Sequence, residues 1–339
     1  MQDPYALLAE RLDYAPLPEL LSILGRLMSP EEALLLLELP GQPDELVQRL
    51  TISPDALADR LADLVRRGLV FPTRKGVRPC RDVEELHALT LAVAEQYVPD
   101  GVLDLWKEFY EADWCRARGR MYAELKEPLL KVVPARRALA NSTGNGDLLP
   151  DEDLERLLQS FEAISVSPCP CRRALRRCQG PLQVCLSFNR GAQYIIDRGI
   201  GASLSVDEAL AITDLAEGSG LVHCLDTRFF LSMCNCCSDC CLILDPGLRY
   251  GTLKQALARS SYCASINTDA CIGCEDCVGK CPFSAIRMLS TPSGEAVAVG
   301  DPEKCFGCGL CVPECPSGAI AMIPRGPDSG ASLPDGYSE

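Results

Sequence analysis

Two cysteine motifs in the C-terminal part of the chain constrain its fold more than any other feature. Residues 271–282 read CIGCEDCVGKCP and residues 305–316 read CFGCGLCVPECP, so the spacing C-x2-C-x2-C-x3-C-P occurs twice without departure. Runs of this spacing are typical of segments that hold [4Fe–4S] clusters. The repeat therefore predicts two such clusters close together in one small domain.

The spacing also predicts which cysteines share a cluster. A tight loop can present three thiolates at this spacing but not a fourth, so the last cysteine of each run is expected to bind the other cluster. The two predicted ligand sets are Cys271, Cys274, Cys277 and Cys315 for one cluster, and Cys305, Cys308, Cys311 and Cys281 for the other. The small residues Gly273, Gly307 and Gly309 let backbone N–H groups approach the sulfides, which tunes the potential. Structural zinc at each set is the alternative, but two full copies with the trailing proline favour clusters.

Through these motifs, residues 262–323 resemble the bacterial 2[4Fe–4S] ferredoxin family. The resemblance implies a small α+β fold of two pseudo-symmetric halves. It also implies one-electron transfer at low potential through two adjacent clusters.

A second cysteine-rich segment covers residues 169–241 and holds ten of the 21 cysteines. Thiolates at this density select iron–sulfur clusters, zinc or copper(I). The predicted ligands are Cys169, Cys171, Cys178, Cys185, Cys234, Cys236, Cys237, Cys240 and Cys241, with His223 as a further candidate. They predict one or two further [4Fe–4S] clusters or a zinc ion.

The spacing leaves the division of this second set open. Cys169, Cys171, Cys178 and Cys185 could fill one cubane, and four of the five cysteines in 234–241 another. A division that mixes the two segments is equally compatible with the spacing. Because adjacent residues point in different directions, Cys236 and Cys237 are not expected to share one cluster. His223 is either a ligand or a hydrogen-bonded structural residue.

Several other residues in and around this segment have a structural alternative. Arg172, Arg173, Arg176 and Arg177 either offset cluster charge, form a basic docking patch, or lie on a solvated helix face. The cysteines outside both motif regions are expected to be small buried hydrophobes; they are Cys80, Cys115 and Cys263.

The order of these motifs resembles a group of 4Fe–4S dicluster proteins from anaerobic bacteria and archaea. The shared series is SPCPCR, C-x6-C, GLVH, CNCC-x2-CC and then the ferredoxin motifs, and it covers about residues 100–323, with LWKEFYEADW and LLPDEDL included. The resemblance implies an iron–sulfur electron carrier in an anaerobic host. Family members often have cysteine where Asp239 stands here, and Cys224 has no counterpart that can be aligned.

The N-terminal part of the chain has a helical pattern. After Ser29-Pro30, three helical segments (EEALLLLEL, DELVQRL and PDALADRLADLVRRG) precede a hairpin pattern, LVFPTRKGVR. Three helices followed by two strands indicate a winged-helix-like module. Trp106, Phe109, Tyr110 and Trp114 then fall at helical spacing, which predicts a core helix. Pro168 and Pro170 predict an extended segment or turn in SVSPCPC.

The predicted fold is therefore multidomain α+β. It has an N-terminal winged-helix-like helical module, a helical cysteine-rich middle region and a C-terminal 2[4Fe–4S] ferredoxin fold. The predicted boundaries are 1–81 for the winged-helix-like module, 82–168 for a helical linker domain, 169–261 for the cysteine-rich region, 262–323 for the ferredoxin-like domain and 324–339 for a disordered tail.

Charge and targeting features bear on compartment and partners. The amino terminus lacks the pattern of a signal peptide, and no stretch is apolar enough to span a membrane, so we expect a cytoplasmic protein with reduced thiols. The formal net charge of −14 and a nearly balanced winged-helix-like module make DNA an unlikely partner. The sequence contains no G-x-G-x-x-G turn, so we do not expect this chain to bind NAD or FAD.

Three functional hypotheses follow from the sequence. The first is a low-potential one-electron carrier between a soluble donor and a partner protein, such as a ferredoxin- or flavin-dependent oxidoreductase. The second is a reductase that acts on a thiol, a disulfide or another small substrate at the cysteine-rich segment. The third is a redox-responsive winged-helix regulator, against which the acidity of the chain weighs.

Overall fold

The computed structural model describes residues 3–73, 76–140, 149, 151–226, 228–229, 231–292 and 294–325. The chain forms two compact units. The first comprises the chain up to Cys115 together with Ser167–Arg177 and Tyr194–Ala202. The second comprises Arg116–Val166, Cys178–Gln193 and the chain from Ser203 onward. Most of the predicted tail at 324–339 lies outside the described residues.

Helices are the more numerous elements of the described chain. In chain order they are α1 (Pro4–Arg11), α2 (Pro18–Leu27), α3 (Pro30–Glu38), α4 (Pro43–Leu50), α5 (Pro54–Arg66), α6 (Val83–Leu91), α7 (Val102–Phe109), α8 (Cys115–Ala123), α9 (Arg136–Leu139), α10 (Leu154–Gln159), α11 (Pro170–Leu175), α12 (Arg190–Asp197), α13 (Val206–Gly218), α14 (Leu244–Arg249), α15 (Leu253–Ala256) and α16 (Asp276–Lys280). A short 3₁₀ turn covers Glu95–Tyr97, and a π-helical turn, Tyr110–Trp114, joins α7 to α8. No helix of the described residues is long and apolar enough to cross a membrane.

The strands of the described residues belong to four separate sheets. They are β1 (Val70–Thr73), β2 (Gly76–Pro79), β3 (Leu130–Val133), β4 (Ile164–Pro168), β5 (Gln183–Phe188), β6 (Val222–Asp226), β7 (Ser232–Cys236), β8 (Leu257–Ala258), β9 (Tyr262–Ile266), β10 (Ile286–Ser290), β11 (Ala296–Gly300) and β12 (Ile320–Pro324). Their pairing is β1-β2, β10-β11, β9-β12 and a six-stranded sheet in the order β4-β5-β7-β6-β3-β8.

The first unit opens with five helices that each begin at a proline. Proline fits the first turn because its N–H is not needed there and its φ is already helical. Ser29 and Ser53 cap α3 and α5 with their side chains, and Glu32 completes a capping box on Ser29. The β1-β2 hairpin follows α5. The predicted order of three helices and a hairpin is therefore present, while the winged-helix assignment stays a prediction.

Four aromatic residues around the end of α7 lie in the core of the first unit. Trp106, Phe109, Tyr110 and Trp114 are all buried. The Phe109 and Trp114 rings stack with their centroids 5.6 Å apart. Their predicted role in packing rather than in cofactor contact is consistent with this burial, which removes large apolar surfaces from water.

The second unit corrects the expectation of a helical middle region. Its centre is the six-stranded sheet, in which β3, β5, β6 and β7 pair antiparallel. These strands are short, and β6 is buried on both faces along VHCL. A strand buried on both faces lacks the polar–apolar alternation that identifies strands in a sequence.

The segment around Pro170 also differs from the expectation of an extended chain or turn. β4 runs through Pro168, as expected for extended backbone, but α11 begins at Pro170 itself. Proline excludes a helix interior but not its first position, so the residue marks a helix start here.

The ferredoxin-type part of the second unit has two similar halves. Each half carries one cysteine run and contributes one strand to each of two antiparallel sheets, β9-β12 and β10-β11. The backbone repeats as well, because left-handed φ values occur at matching positions within and just after the two runs. The matching pairs are Gly273 (69°) with Gly307 (75°), Glu275 (67°) with Gly309 (76°), and Ser284 (51°) with Gly318 (65°).

Candidate metal centres

One cavity of the ferredoxin-type domain is lined by cysteines from both runs. Cys305, Cys308 and Cys311 come from the second run, and Cys281 comes from the first. Phe283 and Phe306 form part of its wall. The structure thus brings together the four cysteines of one predicted set.

A second cavity has the reciprocal composition. Cys271, Cys274 and Cys277 come from the first run, and Cys315 comes from the second. Ile266, Ala298 and Ile320 line it alongside the thiols. Each cavity therefore holds three cysteines of one run and the last cysteine of the other.

Backbone N–H groups point at the thiol sulfurs in the same way in both halves. The N–H of Ala285 donates to Cys281 Sγ and the N–H of Ala319 donates to Cys315 Sγ, each at 3.3 Å. Both donors lie four residues after the cysteine. The N–H of Ala298 also donates to Cys271 Sγ at 3.3 Å. Such bonds stabilise a negative sulfur, which suits thiolates bound to a metal.

Burial makes bare thiolates unfavourable at four of these eight positions. Desolvation raises the pKa of Cys277, Cys281, Cys308 and Cys311 above that of an ordinary thiol. Burial alone would also raise the pKa of Cys315, but hydrogen bonds from Ser317 and from backbone N–H groups lower it overall. A bound cation would replace the protons and offset the charge. The donors and their surroundings therefore fit an iron–sulfur group.

A third group of thiols lies in the second unit and joins two segments of the sequence. The Sγ atoms of Cys178, Cys237 and Cys240 all lie within 4.8 Å of one another. The Sγ of Cys178 is 3.5 Å from that of Cys237 and 3.8 Å from that of Cys240. This is the mixed division of the cysteine-rich segment that the spacing had left open.

A fourth group surrounds Cys236, the residue next to Cys237. The Sγ atoms of Cys236 and Cys241 are 3.2 Å apart. Contacts with the thiols of Cys224, Cys234 and Cys241, together with burial, raise the pKa of Cys236 well above its usual value. The adjacent cysteines Cys236 and Cys237 thus belong to different groups, in line with the prediction that they would not share one site.

Cys224 is a member of this group that the sequence analysis did not include. It faces Cys234 across the β6-β7 pair, and Val222 faces Cys236 two residues away. Residues two apart on a strand share a face, so Cys224, Cys234 and Cys236 lie on one side of the sheet. The position of Cys224 beside Cys234 follows from the pairing register of β6 and β7, which no single sequence motif specifies.

The group around Cys236 shares a hydrophobic core with one cavity of the ferredoxin-type domain. Cys224, Cys236 and Cys241 pack in the same buried cluster as Phe283 and Phe306, with Cys281 and Cys308 against it. The two phenylalanine rings lie 4.5 Å apart between centroids. The cavity lined by Cys281 and Cys308 is thus continuous with this group through apolar packing.

His223 lies on the opposite face of the sheet from these thiols. Its Nδ1 contacts Asn235 Oδ1, and its Nε2 lies 3.3 Å from Glu217 Oε1. Asn235 in turn donates to the carbonyl of Val184 at 2.5 Å. The ring is buried and hydrogen-bonded, which matches the structural alternative for this residue rather than the ligand hypothesis.

The remaining predicted ligands lie in two different parts of the chain. Cys169 and Cys171 lie at the start of α11 in the first unit, and Cys185 lies on β5 in the second. Cys80, Cys115 and Cys263 are buried, as expected for small hydrophobes.

The arginines near α11 form contacts within the first unit. Arg172 and Arg173 are buried, and Arg173 donates to the carbonyls of Leu91 and Val93 at 2.7 and 2.8 Å. Arg176 and Arg177 pair with Asp104 and Glu111. Burial of the first two excludes them from both a docking patch and a solvated face.

Comparison with known proteins identifies one region of the chain. Residues 270–319 match the family described as the 4Fe-4S dicluster domain. A stretch of 57 residues is 40% identical to Protein Pixie of Drosophila melanogaster, and it spans 17% of this chain and 9% of that protein. No solved structure matches the chain. The domain match and the clustered cysteines support an iron–sulfur protein.

Proposed function

We propose that this chain is an iron–sulfur electron carrier whose C-terminal domain holds two [4Fe–4S] clusters in crossed ligation. Such clusters, when bound, accept and release single electrons at low potential. The observation that carries the proposal is the reciprocal composition of the two cavities, each with three cysteines of one run and one of the other. One apolar core packs against members of both sets, which favours transfer between them.

In this proposal the two sets have different roles because their exposure differs. Cys274 is the one exposed cysteine among all 21, every one of which lies in the described ranges. Its neighbour Ile272 is 67% exposed. We place electron exchange with a partner at this edge. The set with Cys281 and Cys308 faces the buried group around Cys236 and would pass electrons inward.

We further propose a cytoplasmic redox partner with a basic docking surface. The net charge of −14 favours encounter with such a surface through long-range attraction. A soluble donor and a ferredoxin- or flavin-dependent oxidoreductase are the partner classes that fit. Raising the salt concentration should slow the reaction with such a partner.

The test is to sort cysteine variants by the spectrum that they lose. Under crossed ligation, Cys281→Ala should impair the same cluster as Cys305→Ala, and Cys315→Ala the same cluster as Cys277→Ala. Electron paramagnetic resonance and iron content on anaerobically purified protein give the readout. Cys263→Ala is the matched control, because this buried cysteine lines neither cavity and should leave both clusters intact. A Cys281→Ala spectrum that matches Cys277→Ala would contradict crossed ligation.

A reductase is the second candidate function. The close thiols of Cys236 and Cys241, 3.2 Å apart and next to the core of the Cys281 set, favour it. Turnover of a disulfide substrate by the reduced protein would support this function. Loss of this turnover in Cys241→Ser would place the reaction at these thiols.

The regulator hypothesis predicts that the protein binds DNA at low salt. A binding assay that detects no complex at low salt would contradict this hypothesis.

A further inference from the structure

The thiols of Cys178, Cys237 and Cys240 are spaced differently from those of the ferredoxin-type domain. Among the residues that the structure describes, they form the one group of three or more His, Cys, Asp or Glu ligand atoms that all lie within 4.8 Å of one another. The eight cysteines around the two cavities include no such group. The Cys178 group is thus tighter than either cysteine set of the ferredoxin-type domain.

This spacing distinguishes a single ion from a cubane. Four thiolates on one tetrahedral zinc ion, with Zn–S bonds near 2.3 Å, have their sulfurs about 3.8 Å apart. The thiolates of a cubane each bind a different iron atom and point away from one another, so their sulfurs lie farther apart. The observed separations of 3.5 and 3.8 Å from Cys178 match the single ion.

The local chain also matches a thiolate knuckle. Cys237 and Cys240 have C-x2-C spacing directly after β7, and the N–H of Cys241 donates to the carbonyl of Cys237 at 3.3 Å across the turn. This turn presents two sulfurs to one point. C-x2-C is a spacing from which structural zinc sites are built. Cys178 supplies the third sulfur from the segment that precedes β5.

Burial at this group favours an ion over bare thiols. Cys237 and Cys240 are 8% and 1% exposed, while Cys178 is half-buried. The close packing of three sulfur atoms offers one shared point for a cation. A soft divalent ion suits this point, because thiolates are its preferred ligands.

We propose that Cys178, Cys237 and Cys240 bind one thiophilic divalent ion of the zinc class, in a site separate from the iron–sulfur clusters. The three thiolates account for three of the four positions of a tetrahedral ion. The ion connects the end of β7 to the segment before β5 and so stabilises one end of this antiparallel strand pair. The site is independent of the proposed electron transfer and would stand if that function were wrong.

Adjacent variants provide the test. We would measure zinc and iron per chain in the anaerobically purified protein and in Cys237→Ser, with Cys236→Ser as the matched control. The wild-type chain is expected to hold about one zinc ion, with zinc-edge X-ray absorption showing Zn–S bonds near 2.3 Å. Cys237→Ser should lose at least about tenfold in zinc affinity at unchanged iron of the ferredoxin-type domain, and Cys236→Ser should keep its zinc.

The opposite results are equally clear. A wild-type protein without zinc, or a Cys237→Ser protein that keeps zinc and loses about four iron atoms, would overturn the proposal and place a cluster at this group. Loss of zinc in both adjacent variants would overturn the division between Cys236 and Cys237. If Cys237→Ser fails to fold and loses iron as well, the half-buried Cys178→Ser decides between the same two outcomes.

Discussion

The substitution Gly307→Ala tests how tightly the second cysteine run packs against the rest of the ferredoxin-type domain. Gly307 has a φ of 75°, and a Cβ atom there would lie 2.1 Å from Ser260 Oγ and 2.2 Å from the carbonyl oxygen of Tyr262. The left-handed backbone costs an alanine about 1–2 kcal/mol. Forcing a methyl group into filled space costs about 1–3 kcal/mol more, so the total is roughly 2–5 kcal/mol.

Two other glycines separate these contributions. Gly318 has a φ of 65° but no atom within 4 Å of the Cβ position, so Gly318→Ala should cost only the backbone term of about 1–2 kcal/mol. Gly279 lies in α16 at a φ outside the left-handed region and also faces open space. Gly279→Ala should therefore stabilise the domain by about 0.5–1 kcal/mol.

The assay is the rate at which visible cluster absorption disappears in guanidinium chloride under anaerobic conditions. Each 1.36 kcal/mol of destabilisation that appears in the barrier changes this rate about tenfold. Gly318→Ala should lose its absorption about 5- to 30-fold faster than wild type. Gly307→Ala should lose its absorption about 5- to 150-fold faster than Gly318→Ala. Equal rates for the two variants would refute the close approach of Gly307 to Ser260 and Tyr262.

Two further predictions concern charged residues of the second unit. Glu275 has a φ of 67° where the other run has Gly309, so Glu275→Gly should slow cluster loss several-fold, whereas Asp276→Gly in the first turn of α16 should accelerate it. Burial alone would raise the pKa of Glu217, but hydrogen bonds from His223 and from the arginines at 136 and 137 lower this pKa overall. The ionised Glu217 therefore stabilises the fold above the ordinary glutamate pKa, and this stabilisation is lost as the pH falls through the lower pKa of the folded protein. Thermal unfolding of Glu217→Gln should consequently depend less on pH below about 5 than that of wild type, and parallel curves would contradict this role.

Local signals in the sequence predicted the parts of the fold that short-range chemistry determines. Ser29-Pro30 and Ser53-Pro54 mark the starts of α3 and α5 because capping and proline geometry act within one turn. The two cysteine runs likewise predicted the cavity composition, since the spacing itself prevents four cysteines of one run from converging.

The central sheet could not be predicted in the same way. Strands such as VHCLD and SMCNC are short and mix cysteine with apolar residues, so they show no clear period of two. The grouping of Cys178 with Cys237, and of Cys224 with Cys236, depends on how β5, β6 and β7 pair. Strand register is a long-range property, and one sequence contains no direct record of it.

The reciprocal cavities have a consequence for how the protein is made. Neither cavity has all of its cysteines until the ribosome has synthesised the chain through the second run, because one cavity needs Cys315 and the other needs Cys305, Cys308 and Cys311. The first run alone therefore offers no complete site to an emerging chain. A fragment that ends between the two runs would lose both sites rather than one. The domain must therefore be synthesised and assembled as a whole, although its sequence is a repeat.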